Sequence, residues 1–212
     1  MINDLTKQQF FAMIIAGQEE IASNHELLTK LDSAIGDGDH GTTMLRTTKA
    51  VIDAIGQNET KTLKEILSAI SWAIMEADGG SVGPLMGSMF LGFASGTEAD
   101  ITVTKAQFAT MFIAGIEKMH SLSKANVGDK TMMDALLPAK DCLQADCDDL
   151  DLVKLLTKVA SSAKEGSQAT SDMLAKFGRA RNLGDKVIGH QDPGSVTVSL
   201  MFAGFSNYVN GI

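Results

Sequence analysis

The stretch DSAIGDGDHG (32–41) packs three aspartates, one histidine and three glycines into ten residues. It lies between two runs whose apolar residues recur at helical spacing. Because glycine gives the backbone a freedom that other residues lack, we expect a turn between two helices here. The fold and the chemistry of the chain both depend on why acidic side chains are concentrated at this turn.

Helical spacing continues through the rest of the chain. The helix before the acidic stretch begins at a capping-box pair, Thr6 and Gln9, and should fade near Leu31. Later helices are expected where apolar residues repeat between breakers: from just after Gly41 to about Ile55, from Leu63 to Asp78-Gly79-Gly80, from Val82 to about Phe93, from Thr104 through Met119, after Thr131, and from Leu152 to about Met173 with a bend near Gly166.

The last segment, SVTVSLMFAGF (195–205), is ambiguous because Val196, Val198 and Leu200 alternate as they would in a strand. Its length and its helical surroundings favour a helix. The chain has only three prolines, and so few helix breakers also favour helices over a turn-rich β fold. We therefore predict one all-α domain covering residues 1–212.

Composition restricts the function classes. The net charge of −8 argues against nucleic-acid binding, since the chain has no basic patch. No run reaches the roughly 18 apolar residues of a membrane span, and the N-terminus lacks the features of a signal peptide. Two cysteines, Cys142 and Cys147, are too few for a disulfide framework. We expect a cytoplasmic protein with reduced thiols.

Three carboxylates of the acidic stretch are candidate metal ligands. Asp37 and Asp39 are two residues apart, which in an extended segment points both side chains the same way. A turn at residues 35–36 could fold Asp32 back to meet them. Clustered carboxylates repel one another unless a cation binds them. Oxygen ligands favour Mg²⁺ or Ca²⁺, and because the spacing does not fit an EF-hand loop, Mg²⁺ is preferred.

The residues that follow are suited to an anion. His40, Gly41, Thr42 and Thr43 would form the first turn of a helix, whose free N–H groups and dipole attract phosphate. An alternative from the residues alone stays open, namely a solvated acidic turn in which Asp39 only caps the helix.

Two glycine-containing stretches could also meet a nucleotide. GGSVGPLMG (79–87) is a glycine-rich helix start whose Ser81 and Val82 amides could bind phosphate, although small residues also serve tight helix packing. In GDKTMMDALLPA (128–139), no glycine precedes at the spacing of a phosphate loop. Met132 in this stretch fits either the core or a wall against an adenine ring.

A third stretch, GRARNLGDKVIGHQDPG (178–194), contributes Arg179, whose fork of donors suits phosphate. It ends in a turn, Asp192-Pro193-Gly194, before the last helix. Surface arginines are commonly only solvated, so neither feature identifies a site by itself.

Four motifs, taken in order, resemble the L subunits of dihydroxyacetone kinases, the nucleotide-binding partners in that system: IGDGDHG (35–41), GGSVGP (79–84), GDKTMMDALLPA (128–139) and IGHQDPG (188–194). They span most of the chain. The resemblance implies an antiparallel barrel of eight amphipathic helices, with the nucleotide held by interhelical loops at one end. It also implies that the last segment is a helix.

The resemblance further implies a role for each matching residue. Asp32, Asp37 and Asp39 would hold two Mg²⁺ ions that bridge the phosphates of ADP or ATP. The other contacts would come from residues lining the phosphates (His40, Gly41, Thr42, Thr43, Ser81 and Val82), from Met132 beside the adenine, and from Arg179, Asp192, Pro193 and Gly194. One departure is visible, because Ser123 stands where the family often has a glycine near the nucleotide.

A free-standing chain of this kind resembles the bacterial phosphotransferase-linked system. In that system ADP stays bound as a coenzyme, a phosphohistidine on the M subunit rephosphorylates it, and the phosphoryl group passes to dihydroxyacetone on the K subunit. The implied protein is a monomer when alone. Two other interpretations stay open: a non-catalytic partner that acts as a coregulator, and the nucleotide domain of a kinase for another acceptor.

Overall fold

A computed structural model describes residues 2–77, 80–97 and 101–212, and these residues are predominantly helical. The α-helices within them are α1 (Lys7–Ser23), α2 (His25–Ile35), α3 (His40–Gln57), α4 (Leu63–Glu76), α5 (Val82–Ser95), α6 (Lys105–Ser123), α7 (Met133–Asp146), α8 (Leu152–Ala169) and α9 (Pro193–Asn210). Two 3₁₀ segments, Thr170–Asp172 and Arg179–Val187, separate α8 from α9. Two strands, β1 (Asp4–Thr6) and β2 (Thr102–Thr104), pair antiparallel.

Eight of the helices form a closed ring. From α3 to α9 each helix packs against the next one along the chain, α9 packs against α1, and α1 packs against α3. Helix α2 links α1 to α3 and lies against α3 and α9. Where the connection between packed neighbours is short, as between α3 and α4, the two helices are antiparallel. This arrangement confirms the expected all-α single domain.

The barrel interior is apolar and rich in phenylalanine. Phe108 stacks on Phe112 with ring centroids 4.2 Å apart, and Phe112 also contacts Phe93, Phe202 and Phe205. All five rings are buried, so α5, α6 and α9 meet through a continuous aromatic cluster.

Helices α1, α4, α6 and α8 begin at one end of the barrel. The β1–β2 pair lies there, and the Lys7 ammonium donates to the carbonyls of Glu59 and Lys61 just before α4. Side chains that accept a hydrogen bond from the third residue of the helix cap all four helices: Thr6, Thr62, Thr104 and Asp151. Helices α3, α5, α7 and α9 consequently begin at the opposite end, which we call the mouth.

Several helix boundaries differ from the sequence expectation. The first helix does not run unbroken to Leu31, because it ends at Ser23 and a second helix begins after Asn24. That second helix continues to Ile35, so Asp32 lies in its last turn instead of in a loop. Helix α8 is continuous through Gly166 and ends at Ala169.

The last segment is a helix, as expected, and Asp192 caps it with Pro193 in its first turn. Residues Asp78 and Gly79, where the third expected helix was to end, lie outside the described residues. Among the helices of the described ranges, none combines the length and the apolar character that crossing a membrane requires.

Candidate functional site

A cavity of about 560 Å³ opens at the mouth of the barrel. It lies where α3, α5, α7 and α9 begin, so its walls come from four helix starts. Of the residues singled out in the sequence, twelve line it: Asp32, Asp37, Asp39, His40, Thr43, Ser81, Val82, Met132, Arg179, Asp192, Pro193 and Gly194. Residues from widely separated motifs therefore meet at one place.

The three aspartates of the acidic stretch come together in the cavity wall. One carboxylate oxygen from each of Asp32, Asp37 and Asp39 lies within 4.8 Å of the others. The last turn of α2 supplies Asp32, and the chain then turns through Gly38, whose φ of +79° suits glycine. An all-oxygen set of three carboxylates fits a hard divalent cation such as Mg²⁺, so these residues are suited to the metal that the sequence predicted.

Three of the four helix starts at the mouth are capped differently from those at the other end. Asp39, Ser81 and Met132 occupy the N-cap positions of α3, α5 and α7, and none of the three side chains makes a capping hydrogen bond. In an ordinary acidic turn Asp39 would cap α3 with its own carboxylate. In the described part of the chain it does not, which leaves the carboxylate for the cluster. At α7 the Met133 N–H donates to Thr131 Oγ1, so a ligand at uncapped helix amides is favoured at the starts of α3 and α5.

His40 is fixed between α3 and α9. Its backbone N–H donates to Asp32 Oδ2 at 3.2 Å, and its ring Nε2 lies 2.8 Å from Thr197 Oγ1. Burial lowers the pKa of His40, and the nearby Asp32 carboxylate opposes that shift. The imidazole is therefore held as part of the cavity wall.

Arg179 reaches the acidic cluster from the second 3₁₀ segment. Its guanidinium forms an ion pair with Asp37, although 67 % of the Arg179 side chain and 41 % of the Asp37 side chain are exposed. Exposed ion pairs contribute little to stability. Arg179 can therefore exchange this carboxylate for a phosphate oxygen at little cost.

The far wall of the cavity joins α7 to α9. Asp192 caps α9 by accepting the Ser195 N–H at 2.7 Å, and a Cβ at Gly194 would lie 3.5 Å from the Met132 side chain. Burial raises the pKa of Asp192 to about 7, against the hydrogen bond from Ser195. Met132 is half-buried, so it forms an apolar edge of the cavity as well as part of the packing.

Two of the expected residues do not line the cavity. Thr42 is exposed, and Gly41 is buried where α3 meets α2. A Cβ at Gly41 would come within 2.2 Å of His25 O and Thr29 Oγ1. Gly41 is thus required by packing in this structure.

Other lining residues were not singled out from the sequence as site residues, among them Leu85, Ser123, Lys130 and Phe177. Lys130 lies in the GDKT sequence, which does not fit a phosphate loop, and the resemblance assigned no role to this lysine. Ser123, the departure from the family glycine, lies at the cavity edge, and its hydroxyl accepts the Ala125 N–H at 3.2 Å. It is thereby engaged within its own loop.

Comparison with known proteins identifies the family of the chain. The DAK2 domain matches residues 34–207. The chain is 34% identical over 198 residues to the ADP-binding subunit DhaL of the PEP-dependent dihydroxyacetone kinase of Escherichia coli (strain K12), covering 93% of this chain and 94% of that protein. It is 32% identical to the ADP-binding subunit DhaL of the PTS-dependent dihydroxyacetone kinase of Lactococcus lactis, covering 87% and 88%.

A solved structure has the same fold. The crystal structure of the dihydroxyacetone kinase from C. freundii in complex with AMP-PNP and Mg²⁺ has a TM-score of 0.74 at 21% identity, covering 98% of this chain and 35% of that chain. The chain therefore spans about a third of that kinase, whereas it spans most of the curated relatives above. The domain match and these identities show that the chain belongs to the DAK2 domain family and is similar to the two DhaL subunits named above over most of their length.

Proposed function

We propose that this protein is the ADP-binding subunit of a phosphotransferase-dependent dihydroxyacetone kinase, an enzyme that transfers phosphoryl groups. One observation carries the proposal. Three carboxylates within 4.8 Å of one another stand beside helix starts whose caps are left open, in a cavity large enough for a nucleotide. That arrangement joins a hard-cation site to an anion site, as a metal–nucleotide complex requires.

The residues of the chain would bind and orient the nucleotide. Asp32, Asp37 and Asp39 would hold two Mg²⁺ ions, and the amides at the starts of α3 and α5 would meet the phosphates. When bound, the metal and nucleotide supply charge neutralisation and a terminal phosphate that accepts and releases a phosphoryl group. Arg179 would add its fork of donors to the phosphates. Met132, at the edge of the cavity, would border the adenine.

The whole chain, residues 1–212, would act as one nucleotide-binding domain that alternates between two partners in the cytoplasm. An M subunit would donate the phosphoryl group from a phosphohistidine, and a K subunit would hold dihydroxyacetone as acceptor. The rings of His25 and His120 have local hydrogen-bond partners, Ala22 O and Asn126 Oδ1. The proposal therefore assigns the phosphohistidine to a partner and treats this chain as a monomer when alone.

The nucleotide that co-purifies with the protein tests the proposal. We expect mass analysis of protein purified in Mg²⁺ to find about one ADP per chain retained through gel filtration, because the metal holds the nucleotide in place. A chelator should release it and lower the melting temperature. Protein that carries no nucleotide, or that exchanges ATP freely and is unaffected by chelation, would contradict a retained metal-bound coenzyme.

A further inference from the structure

Lys130 is a buried lysine that lines the cavity. Only 2 % of it is exposed, and lysine is almost never this buried without partners. Its ammonium donates to two backbone carbonyls, those of Thr170 and His190. Both carbonyls belong to the connection between α8 and α9, which lies far from Lys130 in the sequence.

The carbonyls that Lys130 contacts belong to segments already joined to each other. The Asp192 N–H donates to Thr170 Oγ1 at 2.9 Å, and the Gly189 N–H donates to Ser171 O at 2.8 Å. The Lys130 ammonium thus binds both of these segments, the first 3₁₀ segment through Thr170 and residues 188–194 through His190. Residues 188–194 end in the Asp192-Pro193-Gly194 turn at the cavity wall.

The loop that carries Lys130 is itself fixed. The Asp134 carboxylate, 1 % exposed, accepts the Gly128 N–H at 2.6 Å and the Thr131 N–H at 2.7 Å. Burial lowers the pKa of Lys130, while the charges of Asp192, Asp134 and Asp172 favour its ammonium form. The Lys130 ammonium is therefore a fixed donor that joins its own loop to the connection between α8 and α9.

We propose that Lys130 is a positioning residue whose buried ammonium ties loop 128–132 to loop 188–194. It thereby holds Met132 and the start of α9 at a fixed separation within the cavity wall. The inference rests on the proposed function, since this separation matters only if the cavity binds a nucleotide.

The backbone at Lys130 supports a requirement for its side chain. Its φ is +57°, a left-handed conformation that glycine adopts far more readily. Lys124 has nearly the same φ, +58°, but its side chain is exposed at the end of α6. The pair provides a matched comparison, because glycine relieves the backbone at both positions but removes a buried ammonium at only one.

The test compares Lys130→Met, Lys130→Gly and Lys124→Gly by calorimetric titration with ADP in Mg²⁺. We expect both Lys130 variants to weaken ADP binding by at least about tenfold, the loss of one charge-assisted hydrogen-bond set, and Lys124→Gly to match the wild type. In the ligand-free Lys130→Met protein, amide exchange should accelerate in 128–132 and 188–194 and not in α5 or α6. With both partner subunits present, its turnover at saturating ADP should be retained. The ADP concentration that gives half-maximal turnover (the apparent KM for ADP) should rise.

The outcomes separate this inference from the proposed function. Wild-type protein that shows no metal-dependent ADP binding would remove the proposed function. Wild-type binding that Lys130→Met and Lys130→Gly both reproduce would remove only the inference, as would a uniform rise in exchange across the barrel. Should Lys130→Met fail to fold, Lys130→Arg replaces it in the test. Arginine retains the charge but changes the geometry of the donor, so the apparent KM for ADP should still rise without a loss of turnover.

Discussion

Asp37→Asn should reduce phosphoryl transfer, assayed with both partner subunits, by about 10²–10³-fold or more, the range seen when one charge-stabilising group is removed from a preorganised site. The substitution keeps the shape of the side chain and removes one of three clustered charges, so a divalent cation loses a ligand. Stability of the ligand-free protein should change little. The ion pair with Arg179 is exposed and contributes little, and repulsion with Asp32 and Asp39 is relieved.

Asp53→Asn is the matched control for this change. Asp53 lies on α3 in an exposed pair with Lys49, with the two charged atoms 2.6 Å apart, and it does not line the mouth cavity. We expect its turnover to equal that of the wild type. Normal turnover in Asp37→Asn, or an equal loss in both variants, would show that the acidic cluster does not take part in the transfer.

Gly166→Ala should lower the free energy of unfolding by about 3 kcal/mol, at the upper end of the usual cost of overpacking. A Cβ at Gly166 would lie 1.9 Å from the backbone oxygen of Asp134 on α7. A change of rotamer cannot relieve contact with backbone, so α7 and α8 must separate. Denaturant unfolding monitored by circular dichroism measures the loss.

Gly56→Ala on α3 provides the comparison for this substitution. Beyond the backbone of its own helix, a Cβ built at Gly56 meets no atom within 4 Å, so alanine should stabilise the helix by about 0.5 kcal/mol through reduced backbone freedom in the unfolded chain. Equal stabilities of Gly166→Ala and the wild type would mean that α7 and α8 do not approach as closely as the structure shows.

Features with a local chemical cause could be predicted from the sequence. The capping pair Thr6 and Gln9 begins α1 as expected, and Thr104 caps α6, because a cap depends on residues three positions apart. The Asp37 and Asp39 spacing likewise indicated one carboxylate cluster from a single short stretch. The break at Asn24 carried a weaker signal, since neither glycine nor proline marks it.

Features caused by distant parts of the chain could not be predicted in this way. Gly166 looked like a bend, yet it is required by the Asp134 carbonyl on a neighbouring helix. Lys130 looked like part of a failed phosphate loop, whereas its partners Thr170 and His190 come from another connection. Strands of three residues such as β1 are too short to show periodicity. The partner of β1, strand β2, also lies far along the chain.

The site was predicted from two kinds of argument that differ in strength. Residue chemistry indicated the cation and anion halves separately, but it left a solvated acidic turn open. Only the resemblance joined Arg179 and the Asp192-Pro193-Gly194 turn to the same site. In the structure these residues line one cavity with the aspartates, and the uncapped start of α3 argues against the solvated turn.

The most direct test of the account is an anomalous-scattering map from crystals of the protein grown with Mn²⁺ and ADP, because Mn²⁺ replaces Mg²⁺ at oxygen sites and its position is observed independently of the refined atoms. We predict manganese peaks in contact with carboxylate oxygens of Asp32, Asp37 and Asp39 and with the terminal phosphate of ADP. Bound ADP without manganese at these carboxylates, or manganese bound elsewhere on the barrel, would contradict it.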